Sequence, residues 1–406
     1  MRVRQHCVMN EAAKRLVADI RKLAPELTAR AAEFEAARRI SPDVVAALRS
    51  IGVFRMLVPR SHGGIELDLP AALDVIATLS RIDGAVGWTV MIASGAAIFL
   101  TLLPRKTYDD IYRNGPDVIG GGATRSLGTA EATADGWCVN GRWPFASGCQ
   151  HADFMLGVCV VMKDGKPLPR TDGEGGPPTT CGFVLAARDW QIEDTWHAAG
   201  LKGTGSHHIS IKDAIVPATQ IFDVNEGVPC VPGPLYGGMY QVLPLLQGAV
   251  AVGIAEGALD DIVALANSGR QQVSTTVPMR ESEIFQGELG KAAAEIRAAR
   301  AFFETQVASH WRHALAGTLK DPALLTEATQ TAIWLTTTCI RAADACFTLG
   351  GGSAVFDSSP LQRRLRDLHT AGQHAAVHQR RYVDAGKLLL QSSNPAPASE
   401  RDALRL

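Results

Sequence analysis

Three patterns of apolar and polar positions follow one another along the chain. From Glu11 to Ile40 apolar residues recur at helical spacing with Pro25 among them, which predicts two helices or one kinked helix. Ser41-Pro42-Asp43 supplies an N-cap with proline at the first helical position, and Gly52 closes that helix. Asp68-Leu69-Pro70 starts another helix, residues 84–103 form a further one without a charge, and Pro104 opens a short one. From about Asp117 alternation replaces the helical period, predicting strands within 136–147, 154–162, 179–187 and 207–216. The polar stretch 163–180 reads as a mobile hairpin or loop away from the chemistry. After Pro234 the helical period returns and holds to about Leu390, with breaks near 269–278, 317–322 and 350–360, which predicts four long helices in an antiparallel bundle. The expected division is a helical domain at 1–116, a β domain at 117–224, a helical bundle at 225–391 and a frayed tail at 392–406.

The uncharged runs 84–104 and 227–255 each approach the roughly 20 apolar residues that span a bilayer. Asp83 and Arg105 bound the first closely, and the second contains Pro229, Pro232, Pro234 and Pro244. We therefore expect buried core helices rather than membrane spans. The N-terminus lacks the apolar core of a secretory signal, so a cytoplasmic location is expected, with Met9 an alternative start. Forty basic residues against 41 acidic ones, net charge -1, remove the electrostatic footprint of a nucleic-acid or anionic-membrane binder and leave small-molecule chemistry. The eight cysteines form no CxxC pair and no zinc-spaced cluster, so reduced thiols and no metal site are expected.

Three segments carry candidate chemistry. Val139–Gly148, VNGRWPFASG, ends a predicted strand in Ser147-Gly148, where glycine lets a ligand edge approach a hydroxyl and backbone N–H groups. Asp194–Pro217 contains Asp-Thr-Trp and then Gly-Leu-Lys-Gly-Thr-Gly-Ser, with Thr204 and Ser206 as polar contacts. Leu349–His374 contains Gly350-Gly351, then Arg366-Asp367, and ends at His374. No GxGxxG stands between a strand and a helix, so reducing equivalents must come from elsewhere.

With the order helices, β insert, bundle, these segments resemble the acyl-CoA dehydrogenase superfamily over almost the whole chain, and the second resembles its flavin-dependent monooxygenase branch. The resemblance implies an α+β fold of N-terminal helical domain, middle β-barrel or sandwich domain and C-terminal four-helix bundle, assembled as a homotetramer. It implies that Ser147 holds flavin N5 and that Phe145 takes the place of a tryptophan packed on the ring. Gly148, Thr204 and Ser206 would lie near the flavin; Arg270, Gly350 and Gly351 would reach a neighbouring subunit's cofactor, although Arg270 lacks the family's following Phe-Gly. Dehydrogenases need a carboxylate base, either beyond the Arg-Asp pair or on the first bundle helix. Here the former place holds His374, while the neighbourhood QVLPLLQG on the latter has no acid and Glu256 lies about three turns further along. An imidazole titrating near neutrality suits a base toward a phenol, indole or amine, or a group that orients a flavin C4a-hydroperoxide.

The expected activity is that of the oxygenase component of a two-component monooxygenase. It would take reduced FMN (or FAD) from a separate NAD(P)H-dependent reductase and use O2 to hydroxylate a small aromatic or heteroaromatic substrate. Trp88, Met91, Phe99, Met239 and Tyr240 are expected to line the substrate pocket. An FAD-containing acyl-CoA dehydrogenase and a flavin-free scaffold of the same fold are the alternatives. His369 and His378 read as ordinary helix-surface or core residues.

Overall fold

The computed structural model describes residues 11–170, 177–271 and 277–393. The expected alternative start, the fraying of the tail beyond residue 393 and the centre of the 163–180 loop lie outside the described residues. The N-terminal helices are α1 (Glu11–Ala29), α2 (Ala31–Ala37), α3 (Pro42–Ile51), α4 (Leu69–Ile82), α5 (Gly84–Leu100) and α6 (Arg105–Tyr112). Pro25 sits inside α1 and costs it only the bond to residue 21. The break falls at Arg30 instead, whose guanidinium gathers Glu26, Glu33 and Asp43. Ser41 occupies its predicted cap position, but its hydroxyl donates to Glu33 rather than capping α3.

The middle of the chain forms one eight-stranded sheet: β1 (Gly120–Thr133), β2 (Gly136–Ala146), β3 (Phe154–Lys163), β4 (Lys166–Pro167), β5 (Thr180–Ala186), β6 (Gln191–Glu193), β7 (His207–Val216) and β8 (Ile221–Phe222). Its order is β6-β7-β2-β1-β3-β5-β8, with β4 on β3, and among the described residues only the β1·β3 pair is parallel. Alternation missed β1, because GGGATRSLGTAEAT offers glycines where a strand usually shows large residues. The glycines make room for a neighbour: a Cβ on Gly128 would lie 2.2 Å from Trp143 Cζ2. Trp143 is fully buried between β1 and the Phe183–Trp190 stack, and its Nε1 donates to Val158 O at 2.9 Å.

The C-terminal region holds α7 (Met239–Asn267), α8 (Glu283–Leu315), α9 (Pro322–Gly350), α10 (Pro360–Ala371) and α11 (Tyr382–Ser393). Three of these helices are long, and the fourth place is shared by the two short ones, α10 and α11, with 3-10 turns between them. The predicted unbroken helix stops at Gly372, whose added Cβ would lie 2.7 Å from Ile340 Cδ1. His374 therefore stands in the break, not on a helix. Residues 236–267 are the one stretch among the described residues long and apolar enough to cross a membrane, and 83% of the apolar window is buried. That helix packs against α4, α5, α8, α9 and α10, while every residue of α5 except Ile92 is buried. The two uncharged runs are thus core helices, as their bounding charges and prolines predicted.

Candidate active site

The site begins where α5 begins. Asp83 caps that helix, accepting from the N–H groups of Ala85 and Val86 at 2.9 and 3.0 Å, and so fixes the direction of its first turns. Trp88, one turn in, is 6% exposed and was expected to line a pocket. Its Nε1 donates to Ser147 Oγ at 3.0 Å, and its ring meets that of His374 edge-on, centroids 5.7 Å apart. Residues from the helical N-terminal part, the end of β2 and the α10–α11 break thereby touch through one indole.

Ser147 owes its place to a bulge. Trp143 pairs with Ile209 and Ala146 with His207, so β2 carries one residue more than β7 over this interval. Phe145 lies in the bulge with φ 64, and Gly148 follows with φ 73. A phenylalanine in the left-handed region is strained backbone, and this one also keeps its ring 58% exposed while Trp196 and His208 meet it edge-on. Beyond it the buried hydroxyls of Ser147, Ser206 and Thr204 are linked at 2.6 Å each, and Thr204 Oγ1 donates to Leu201 O at 2.8 Å.

The surroundings fit a flavin ring. Two buried acceptors beside this turn, Thr89 Oγ1 and Gln150 Oε1, have no protein partner. Thr89 lies against Gly148, since a Cβ there would meet its methyl group at 3.2 Å; Gln150 lies against Gly205, φ 53, where a Cβ would be 2.6 Å from Oε1. A planar heterocycle with N–H and C=O groups along its edge suits unpartnered polar atoms, glycine turns and an exposed aromatic face.

His374 forms the other wall. Its Nδ1 accepts from the N–H of Ala376 at 3.2 Å, which assigns the neutral ring its proton at Nε2. The ring keeps a solvent-accessible face, yet the protein packed around its other sides lowers its pKa by desolvation, with the charge of Arg381 adding to the effect. Held this way His374 presents an N–H donor. Of the two roles expected for it, orienting an oxygen suits this geometry, and acting as a base requires giving up the Ala376 contact.

Motif reading missed what holds these walls together. Asp367, 3% exposed, accepts from Leu201 N at 2.6 Å and so pins the left-handed residue, φ 49, whose carbonyl ends the hydroxyl series. Burial, with the nearby Asp83 second, pushes the Asp367 carboxyl up to about 7. Arg366 pairs with Glu35 and donates to Ala199 O, and Gln247 of α7 donates to Ala371 O just before the break. The sequence signal for Asp367 was its place in the Arg-Asp pair, which had served only as a landmark.

Met91 and Met239 are buried, and Tyr240, 37% exposed, meets Phe99 edge-on at 6.1 Å. Arg270, Gly350 and Gly351 do not join this cluster. Leu265, near the end of α7, packs against Gly350, and that end lies about 30 Å along the helix from Gln247. Glu256 is held by Arg300 through two contacts of 2.9 Å. His369 pairs with Asp344 at the surface, and His378 accepts from Arg380 N in a turn, which fits their reading as ordinary residues.

Residues 245–379 match the acyl-CoA dehydrogenase C-terminal domain and residues 10–103 the N-terminal domain of the same family. An indole-3-acetate monooxygenase from Pseudomonas putida is 33% identical over 380 residues, 91% of this chain and 92% of that protein. The oxygenase subunit HsaA, a flavin-dependent monooxygenase of Rhodococcus jostii, is 28% identical over 90% of this chain and 95% of its own length. The fold matches that of XiaF from Streptomyces sp. in complex with FADH2 and glycerol, with a TM-score of 0.85, 23% identity and coverage of 95% and 98% of the two chains. The chain belongs to the acyl-CoA dehydrogenase superfamily, in its branch of flavin-dependent monooxygenases.

Proposed function

We propose that this chain is the oxygenase component of a two-component system that hydroxylates a small aromatic or heteroaromatic substrate at the site between Ser147 and His374. The observation that carries the proposal is the Trp88 indole, bonded to Ser147 on one side and packed on His374 on the other. Reduced FMN or FAD, delivered by a separate NAD(P)H-dependent reductase, supplies the electrons that activate dioxygen. Ser147 would hold the ring edge at N5, and Phe145, Gly148, Thr204 and Ser206 would shape its bed. His374 would present its Nε2–H to the oxygen to be transferred, and the buried faces of α5 and α7, with Met91 and Met239, would keep water away, with Tyr240 at their exposed margin. An acyl-CoA dehydrogenase needs a carboxylate beside the flavin; the first acid on α7, Glu256, is engaged by Arg300 instead, and the two beyond it, Asp260 and Asp261, pair with Arg81 and Arg364.

Arg270, Gly350 and Gly351, remote from Ser147 along α7, fit a cofactor contact made across a subunit interface in a homotetramer. A three-domain division at 1–116, 117–224 and 225–391 would give the site one group from each domain: Trp88, Ser147 and His374. The seven described cysteines are free, which suits a cytoplasmic enzyme working beside its reductase. The test is to mix the protein with reduced FMN or FAD, isotopically labelled dioxygen and an indole or phenol probe. Labelled hydroxylated product is expected; flavin reoxidising at its free rate without product would overturn the proposal.

A further inference from the structure

The hydroxyl series beside Ser147 has only one arrangement of protons that satisfies every contact. Three hydroxyls, those of Ser147, Ser206 and Thr204, supply three protons, and three contacts require one: Ser147 to Ser206, Ser206 to Thr204, and Thr204 to Leu201 O. A carbonyl oxygen can only accept, so the last of these takes the Thr204 proton. Thr204 must then accept from Ser206, and Ser206 from Ser147. Trp88 Nε1, a donor only, faces Ser147 from the other side. Protons therefore point one way, from the Trp88 indole through Ser147, Ser206 and Thr204 to Leu201 O, which also receives the indole N–H of Trp196 at 3.1 Å. Ser147, Thr204 and Ser206 are 4%, 1% and 4% exposed, so water does not compete for these partners.

This direction leaves Ser147 Oγ with one free lone pair and no free proton. Toward any further partner it can accept but not donate. Flavin N5 reverses its hydrogen-bonding character with redox state, bearing an N–H when the ring is reduced and only a lone pair when it is oxidised. We propose that Ser206 and Thr204 are specificity-determining positioning residues that, through Ser147 and the one-way hydroxyl chain, set how far this site discriminates reduced from oxidised flavin. The inference rests on the reading that Ser147 faces N5. Reduced flavin then finds an acceptor opposite its N5–H, whereas oxidised flavin would set two lone pairs against each other in a buried place. Once the ring is oxidised its hold weakens, which favours its release to the reductase for the next cycle.

The experiment is an anaerobic titration of the full chain with reduced FMN and, separately, with oxidised FMN, comparing the ratio of dissociation constants among variants. The wild type is expected to bind the reduced form about tenfold or more tightly than the oxidised form, the discrimination worth one mismatched buried hydrogen bond. Ser206→Ala and Thr204→Val each release a proton that Ser147 can turn toward an oxidised N5. Both should lower the ratio about tenfold, mainly by a gain in affinity for oxidised FMN. Thr204→Ser restores the ratio. Trp88→Phe, which removes a donor from the upstream end and leaves the direction unchanged, keeps it. A bed merely loosened by mutation would lose affinity for both forms, so equal losses in Ser206→Ala and Thr204→Val, or an unchanged ratio in both, overturn the inference while leaving the proposed function standing. A wild type that binds neither form overturns that function and this inference with it.

Discussion

The two walls of the site differ in how much freedom they leave their reactive groups. On the Ser147 side the three linked hydroxyls are buried, each of their protons has one destination, and a β-bulge and Asp367 fix the backbone on either flank. On the His374 side one imidazole stands in a gap between two short helices, keeps an accessible face and is held by one backbone N–H and one aromatic edge. Under the proposed function, this contrast matches a constant partner to the first wall and a variable one to the second. A cofactor edge is the same in every cycle and rewards a rigid complement, whereas substrate and oxygen must enter and leave past the side that can yield.

Removing the yielding wall's single functional group should have the largest effect. His374→Ala is expected to lower product formation on the order of a hundredfold while leaving the affinity for reduced FMN unchanged, as steady-state oxygenation and anaerobic titration would show. Comparable losses in both would erase the difference between the walls. The rigid wall predicts the converse for Ser147→Ala, whose loss falls on reduced-flavin affinity, about tenfold, because N5–H and the Trp88 indole both lose their acceptor.

The next prediction concerns the support of the rigid wall. The Asp367 carboxyl has its pKa raised from 3.8 to about 7, so folding favours its neutral form, and the protein loses stability as pH rises from about 3.8 through 7. Asp367→Asn keeps an oxygen for Leu201 N and carries no charge. Its melting temperature should exceed that of the wild type by a few degrees at pH 8, and the advantage should shrink toward pH 5. A variant less stable at both pH values would mean that the ionised carboxylate is what holds Leu201. The His374 side has the opposite sign. Its lowered pKa means that the unfolded chain takes up the proton more readily, so stability is lost as pH falls below the ordinary histidine value of 6.5, and His374→Ala should flatten part of that slope. The smallest effect is expected from His369→Ala, which breaks only an exposed pair with Asp344 and should leave turnover and melting temperature nearly unchanged.

Much of this organisation was legible in the order of helices, strands and helices, because caps and periodicity are local signals. Asp68 and Asp83 cap α4 and α5, and the four strands read from alternation are all present. Strand β1 escaped because its glycines serve the neighbouring Trp143, a requirement visible only in three dimensions. The break after α10 escaped because it falls where Gly372 packs so closely on Ile340 of α9 that no side chain fits, a crowding visible only in three dimensions. In the site, Ser147 and His374 were singled out by motif, but Trp88 was read only as pocket lining. Its role depends on the direction of an indole N–H across a gap of 59 residues in sequence. Asp367 was hidden for a similar reason, since burial and its partner Leu201, 166 residues away, decide what it does.

The most direct measurement is a crystal structure of the protein prepared anaerobically with reduced FMN, reading the separation between Ser147 Oγ and flavin N5. A distance of about 3 Å, with the ring against Phe145 and the indole of Trp88 still between Ser147 and His374, is the expected result. A flavin bound elsewhere, or with N5 turned away from Ser147, would contradict the assignment of the two walls.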